Sequence, residues 1–316
     1  MIKVILLTVF IASFLFADIK MPTKEYVSSG PVTDIVVKGS KLYSATNASC
    51  VDIFDLNSKK IIDKIKVSKI KDFMGDEVDS KVYSVDVLDD QILLLSQAKS
   101  GFRRVHIYKD KKLELVIPYT KNLTIAKAKF LDKETVLLGM LSNELISYNL
   151  RTKAYNWIIQ VSGAKFSDFV LNETKDVVVV ADESGNLKVH STKDGKLVKL
   201  LKGQNLDNVF QVDYKNGIIA TAGQDRRVVI YAYKFNSAYY KSSDFLIYSV
   251  GLSPSGKLVA YSSDENNNIT VFNTITKSIV GKYGGNKMTL TKILFLNEYE
   301  FLVASDNKTI NFYSVK

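Results

Sequence analysis

The chain has 316 residues, 46% of them apolar, and 43 Lys and Arg against 33 Asp and Glu give a formal net charge of +10. A full hydrophobic core is within reach, and the length fits either two domains or one large β structure. Cys50 is the only cysteine, which excludes an intramolecular disulfide, CxxCH haem attachment and a cysteine cluster for zinc or iron–sulfur.

Residues 1–17 have the layout of a secretory signal. Lys3 gives a positive start, the stretch 4–16 is apolar apart from Thr8 and Ser13, and Ala17 is a small residue just before Asp18. The run is shorter than the roughly 20 residues of a bilayer-spanning helix. Cleavage after Ala17 and a periplasmic location are therefore predicted, with an uncleaved anchor as the competing reading. No cysteine follows the cut, which argues against a lipoprotein, and no later stretch is long and apolar enough to span a membrane. A basic exported protein is expected to meet an acidic protein surface or anionic lipid rather than nucleic acid.

Next comes KEYVSS (24–29), which belongs to no complete unit. From Val32 onward one pattern recurs. Its first strand alternates, as in VYSVDV (82–87), NVFQVDY (208–214) and LIYSVGL (246–252). After a turn such as LDDQ (88–91), KNG (215–217) or SPSGK (253–257), a second strand is apolar throughout: ILLLS (92–96), VVVVA (177–181), IIATA (218–222), LVAYS (258–262), FLVAS (301–305). That fits a strand covered on both faces. A third strand ends in an aromatic residue or His, and a charged fourth strand follows, as in KKIIDKIKV (59–67) and GKLVKLL (195–201). Charge there suits an outer edge, where it discourages stray pairing.

The residues closing the third strands are Phe54, Tyr108, Tyr148, His190, Tyr231, Phe272 and Phe312, spaced by 54, 40, 42, 41, 41 and 40 residues. A period near 40 predicts one four-stranded blade per repeat. The expected fold is thus an all-β, seven-bladed β-propeller of antiparallel blades, forming a single domain over 18–316. The last unit stops after its third strand (310–315), so the N-terminal stretch is expected to supply the missing strand and close the ring.

The segments GQDRRVVIYAY (223–233), ADESGNLKVHSTKDGK (181–196) and SSDENNNITVFN (262–273) resemble WD40-type repeats. Asp225, Asp182 and Asp264 stand where that family often has a structural Asp, and Phe54–Asp55 where it has Trp–Asp. The GH dipeptide is absent, and the other units lack the Trp–Asp pair. The overall layout, an exported, disulfide-free, divergent propeller with an LFAD-type signal, is similar to that of the NapL accessory proteins of periplasmic nitrate reductase systems. That resemblance implies a reductase component, or one of its maturation or electron-transfer factors, as partner.

Catalytic patterns are few. His106 and His190 both lie in third strands with no Cys or His near in sequence, so structural roles are expected. There is no GxSxG or GxxxxGK[ST], and DENNN (264–268) lacks the Gly and Glu of an EF-hand loop. Asp34, Asp86 and Asp213 are expected to face the channel as solvated groups; a propeller hydrolase or lactonase using a channel cation is the competing enzyme reading. No catalytic, cofactor or metal site is assigned. Cys50 is read as a small, partly buried residue. Docking residues are instead expected on the face that carries the turns between second and third strands and the blade-to-blade links. These are Arg103 and Arg104, Arg226 and Arg227, and Phe73 and Met74 at the tip of the long link KVSKIKDFMGDEVDSK (66–81). The expected function is non-catalytic binding of a periplasmic partner with an acidic surface by a monomer; an outer-membrane assembly scaffold is the alternative within binding.

Overall fold

The structure, a computed structural model, describes residues 18–315; the predicted signal, 1–17, lies outside the described residues. It is a seven-bladed β-propeller. Blade one contains Val32–Lys38, Lys41–Thr46, Cys50–Asp55 and Ile61–Lys66 in spatial order from the channel outward. Blades two to six repeat this plan over 82–117, 125–160, 166–201, 209–242 and 250–283. The seven aromatic or His residues used to set the period all sit in third strands. Six of them pair with the second residue of their second strand, from Leu42 with Phe54 to Val259 with Phe272; in the last blade Phe312 pairs with the third residue, Leu302, and Tyr313 takes the equivalent place opposite Phe301.

The last blade takes Leu290–Phe295, Glu300–Ser305 and Thr309–Ser314 from the C-terminal end, and Lys24–Val27 as its outer strand. The expected closure therefore forms, with Tyr26 opposite Ile310. Tyr26 is buried, meets Phe54 of blade one edge-on at 5.7 Å and donates its hydroxyl to the Leu56 carbonyl. A further segment, Ile19–Lys20, runs parallel to residues 282–283 and makes blade six five-stranded. Gly284 admits it: a Cβ there would lie 2.7 Å from the Ile19 side chain.

The core lies between blades. Leu93, Leu95 and Val105 of blade two pack on Ala128, Val136 and Leu138 of blade three, and equivalent layers recur around the ring. This is why the second strands are apolar on both faces. Two elements differ from the sequence expectation. Only Val250–Leu252 of LIYSVGL is strand, because the Ser262 hydroxyl takes the Tyr248 and Ser249 N–H groups that a ladder would use. And the link 66–81 is not an irregular loop: Ile70–Lys71 pairs with Glu77–Val78.

In six blades a one-residue bulge interrupts the first strand as it pairs with the second, just before Asp34, Ser84, Lys127, Asp168, Gln211 and Lys292. Such a bulge re-aims the side chain that follows it. These six residues form one level of the channel lining.

Candidate protein-binding site

The link between blades one and two is a short β-ribbon arm. At its tip the Asp72 carboxylate accepts the N–H groups of Met74 and Asp76, Gly75 donates to the Asp72 carbonyl, and Gly75 takes φ +92°, a left-handed conformation that suits glycine. The two residues left projecting are Phe73, 95% exposed, and Met74, 72% exposed. Between the arm and the 98–101 turn of blade two lies a groove of about 680 Å³ lined by Ile70, Phe73, Met74, Val78 and Ala98, with Lys71 and Lys99 among its polar lining groups.

The base of the arm is fixed. Val67 and Ile70 are buried, the Ser49 hydroxyl donates to Asp79 and accepts the Ser80 N–H, and the Arg104 guanidinium donates to the Ser68 carbonyl and the Ser80 hydroxyl. The third guanidinium anchor of Arg104 is the Ser96 hydroxyl at 3.2 Å. The arm and the 103–104 pair therefore share one face of the disc, as expected.

The four arginines do not act alike. Arg103 stacks 4.0 Å over the Tyr83 ring and donates to the Gly101 and Phe102 carbonyls. Arg227 stacks 3.9 Å over Tyr240 and donates to the Gln204 carbonyl. Only Arg226 is exposed, in a turn at φ +60°. Three of the expected docking cations are thus half-buried: Arg104 and Arg227 staple blade-to-blade links, and Arg103 braces the turn of its own blade. The Ser68 and Gln204 carbonyls lie 36 and 23 residues from their arginines, so alternation alone could not separate those two from Arg226.

The channel carboxylates are hydrogen-bonded braces rather than merely solvated groups: Asp34 is buried, and Asp86 and Asp213 are half-buried. Each carboxylate accepts a backbone N–H from the next blade: Asp34 from Val85, Asp86 from Phe130, Asp168 from Val212 and Asp213 from Leu252. Lys127 reaches Asp168 at 2.6 Å, while Lys129 reaches the Val85 carbonyl and, at 3.4 Å, Asp34, tying blades three, two and one. Burial pushes the Asp34 carboxyl up, but Lys129, Lys292, Lys127 and the Val85 N–H outweigh it and leave the group below its ordinary 3.8. Lys127 and Lys129 were missed in the sequence, although the alternation of IAKAKF marks both as facing the same way as Asp34. Among the described residues no three His, Cys, Asp or Glu side chains converge as ligands for a metal ion.

Both histidines are buried in third strands. Burial, helped by the Arg104 guanidinium, holds the His106 imidazole down at about 4. Burial also lowers His190, whose Nδ1 meets the Gly195 carbonyl at 2.8 Å. Cys50 is buried, and desolvation raises its thiol, the reverse of what a reactive thiolate needs. The expected structural aspartates act as such: Asp225 accepts the Leu206 and Arg227 N–H groups, Asp264 those of Asn266 and Asn268, and Asp182 gathers Asn143, Ser162, Ser184 and Lys188.

No protein-family model matches the chain, and a search of curated proteins finds no match. Among the described residues no helix is long and apolar enough to cross a membrane.

Proposed function

We propose that this protein is a non-catalytic propeller that binds a protein partner through the arm at 66–81, acting in the periplasm after removal of residues 1–17. The observation that carries the reading is the display of Phe73 and Met74 on a braced ribbon. Two large apolar side chains held in water by a rigid mount cost little further ordering when a partner covers them, and buried apolar anchors dominate interface energetics. Arg226 is the exposed cation of the expected set on this face; Arg104 and Arg227 hold blade-to-blade links, and Arg103 braces the 98–102 turn.

The finer reading makes the partner a component of a periplasmic nitrate reductase system, on the strength of the resemblance in layout. The test is affinity capture from periplasm of nitrate-respiring cells, with bound proteins identified by mass spectrometry. The parent should capture a reductase component, and the double variant Phe73→Ser, Met74→Ser should weaken capture by roughly 30-fold or more, at every salt concentration. Equal capture by both proteins would remove the arm as the interface. Metal analysis addresses the enzyme alternative: stoichiometric metal lost on replacing Asp34 or Asp213 would favour a channel-cation hydrolase.

A further inference from the structure

The opposite face of the disc carries a different signal. It is formed by the turns joining first to second strands, near the channel, and third to outer strands, at the perimeter. The six perimeter turns (56–60, 110–111, 150–153, 192–196, 233–236, 274–278) hold nine Lys or Arg and two Asp, a net of +7 out of the chain's +10. The seven turns at the opposite end, between second and third strands (47–49, 98–102, 141–143, 183–186, 224–226, 263–268, 306–308), hold three cationic and five acidic residues, a net of −2. Among the turns the positive charge is thus greatest on this rim, which surrounds inner turns (39–40, 89–90, 131–134, 172–176, 216–217, 253–257, 296–299) of net −4.

Of these nine cations Arg151 pairs with Glu134 and Lys196 with Asp194, and six others face outward. Lys59, Lys60, Lys111, Lys153, Lys193 and Lys234 are exposed, and among the described residues none of them makes an ion pair. The inner turns on this face are acidic, but their carboxylates are engaged. Asp89, Asp90 and Glu134 pair with Lys133, Lys109 and Arg151. Glu173 accepts the Asn216 N–H, the Asn216 amide donates to the Ser255 carbonyl, and Ser255 donates to Glu298, so the inner turns of blades four to seven form one bonded chain. The face is therefore stiff. Three large apolar side chains project from this end on consecutive blades: Phe235 (82% exposed) and Ile275 (71%) on perimeter turns and Tyr299 (60%) on an inner turn.

We propose that this face docks on an anionic phospholipid bilayer, the perimeter lysines meeting the headgroups and Phe235, Ile275 and Tyr299 entering the interface. A stiff rim whose exposed lysines mostly lack carboxylate partners matches an extended plane of negative charge. Each Lys or Arg held near such a surface adds to the attraction, and an apolar tip supplies the second signal that stable peripheral binding requires. In this orientation the arm at 66–81 points away from the membrane. The inference is independent of the partner proposed above.

The test is co-sedimentation of residues 18–316, which contain every strand of the ring, with vesicles of phosphatidylcholine alone or with one third phosphatidylglycerol. Binding is expected only to the anionic vesicles and should fall with added salt. Lys59→Gln, Lys60→Gln and Lys153→Gln combined should reduce the partition coefficient by at least about tenfold. Phe235→Ser with Ile275→Ser should reduce it at all salt concentrations, while Phe73→Ser with Met74→Ser should bind vesicles as the parent does. Phe235→Trp should shift its emission to the blue on anionic vesicles. Failure to bind them, or equal binding by the triple Lys variant, would overturn the proposal. So would capture on immobilised polyglutamate without vesicle binding, which would assign the rim to an acidic protein.

Discussion

At the scale of single residues, the burial of His106 makes stability depend on pH. Its folded proton affinity is depressed from 6.5 to about 4. As pH falls through 6.5 the unfolded chain takes up a proton that the native chain refuses until about pH 4. Stability is lost across that window, by ~3 kcal/mol for this group. Chemical denaturation at a series of pH values should show the loss, and His106→Gln should flatten it while leaving partner capture unchanged. Arg104 is a positioning residue for the arm. Arg104→Gln should leave the Ser68 carbonyl and the Ser80 hydroxyl without this donor and cost roughly 1–3 kcal/mol. Limited proteolysis should then cut within 66–81 sooner than in the parent.

At the scale of elements, the N-terminal stretch does two separable things. Lys24–Val27 fills the last blade, while Ile19–Lys20 only adds an edge strand to blade six. Starting the chain at residue 23 should lower the melting temperature modestly. Starting it at residue 31 should expose the Thr309–Ser314 edge, lower the melting temperature far more and promote association, because an open edge is a template for pairing. Tyr26→Ala alone should cost about 3–5 kcal/mol, typical of removing a buried aromatic ring. A residue-31 truncation as stable and monomeric as the parent would show that the ring closes otherwise.

For the whole molecule, the channel braces decide how the blades hold together. Lys129 links three blades through Asp34 and the Val85 carbonyl. Asp34→Ala should leave a buried ammonium with Asp86, at 3.9 Å, as its remaining carboxylate. A cost of about 3 kcal/mol is expected in urea unfolding. Because the Asp34 carboxyl sits below its unfolded value, its contribution is present above pH 3.8 and disappears as pH falls below it. The variant should therefore be least different from the parent in acid.

What the sequence by itself determined is the ring. Spacing near 40 residues and strands apolar on both faces leave one way to bury the second strands, between neighbouring blades. The truncated last unit then requires a strand from the other end, and KEYVSS supplied it. The exposure of Phe73 and Met74 was also legible, since no repeat position could accommodate them. Tertiary structure alone decided the fate of the charged groups. Whether an arginine docks or staples depends on which carbonyl lies beside it, and the Ser68 and Gln204 carbonyls come from blade-to-blade links brought there by the fold. The channel carboxylates looked solvated because their N–H partners sit on the next blade, more than 35 residues away. The basic rim was hidden for the same reason: its lysines are scattered through six turns, and only the stacking of blades about a common axis brings them to one face.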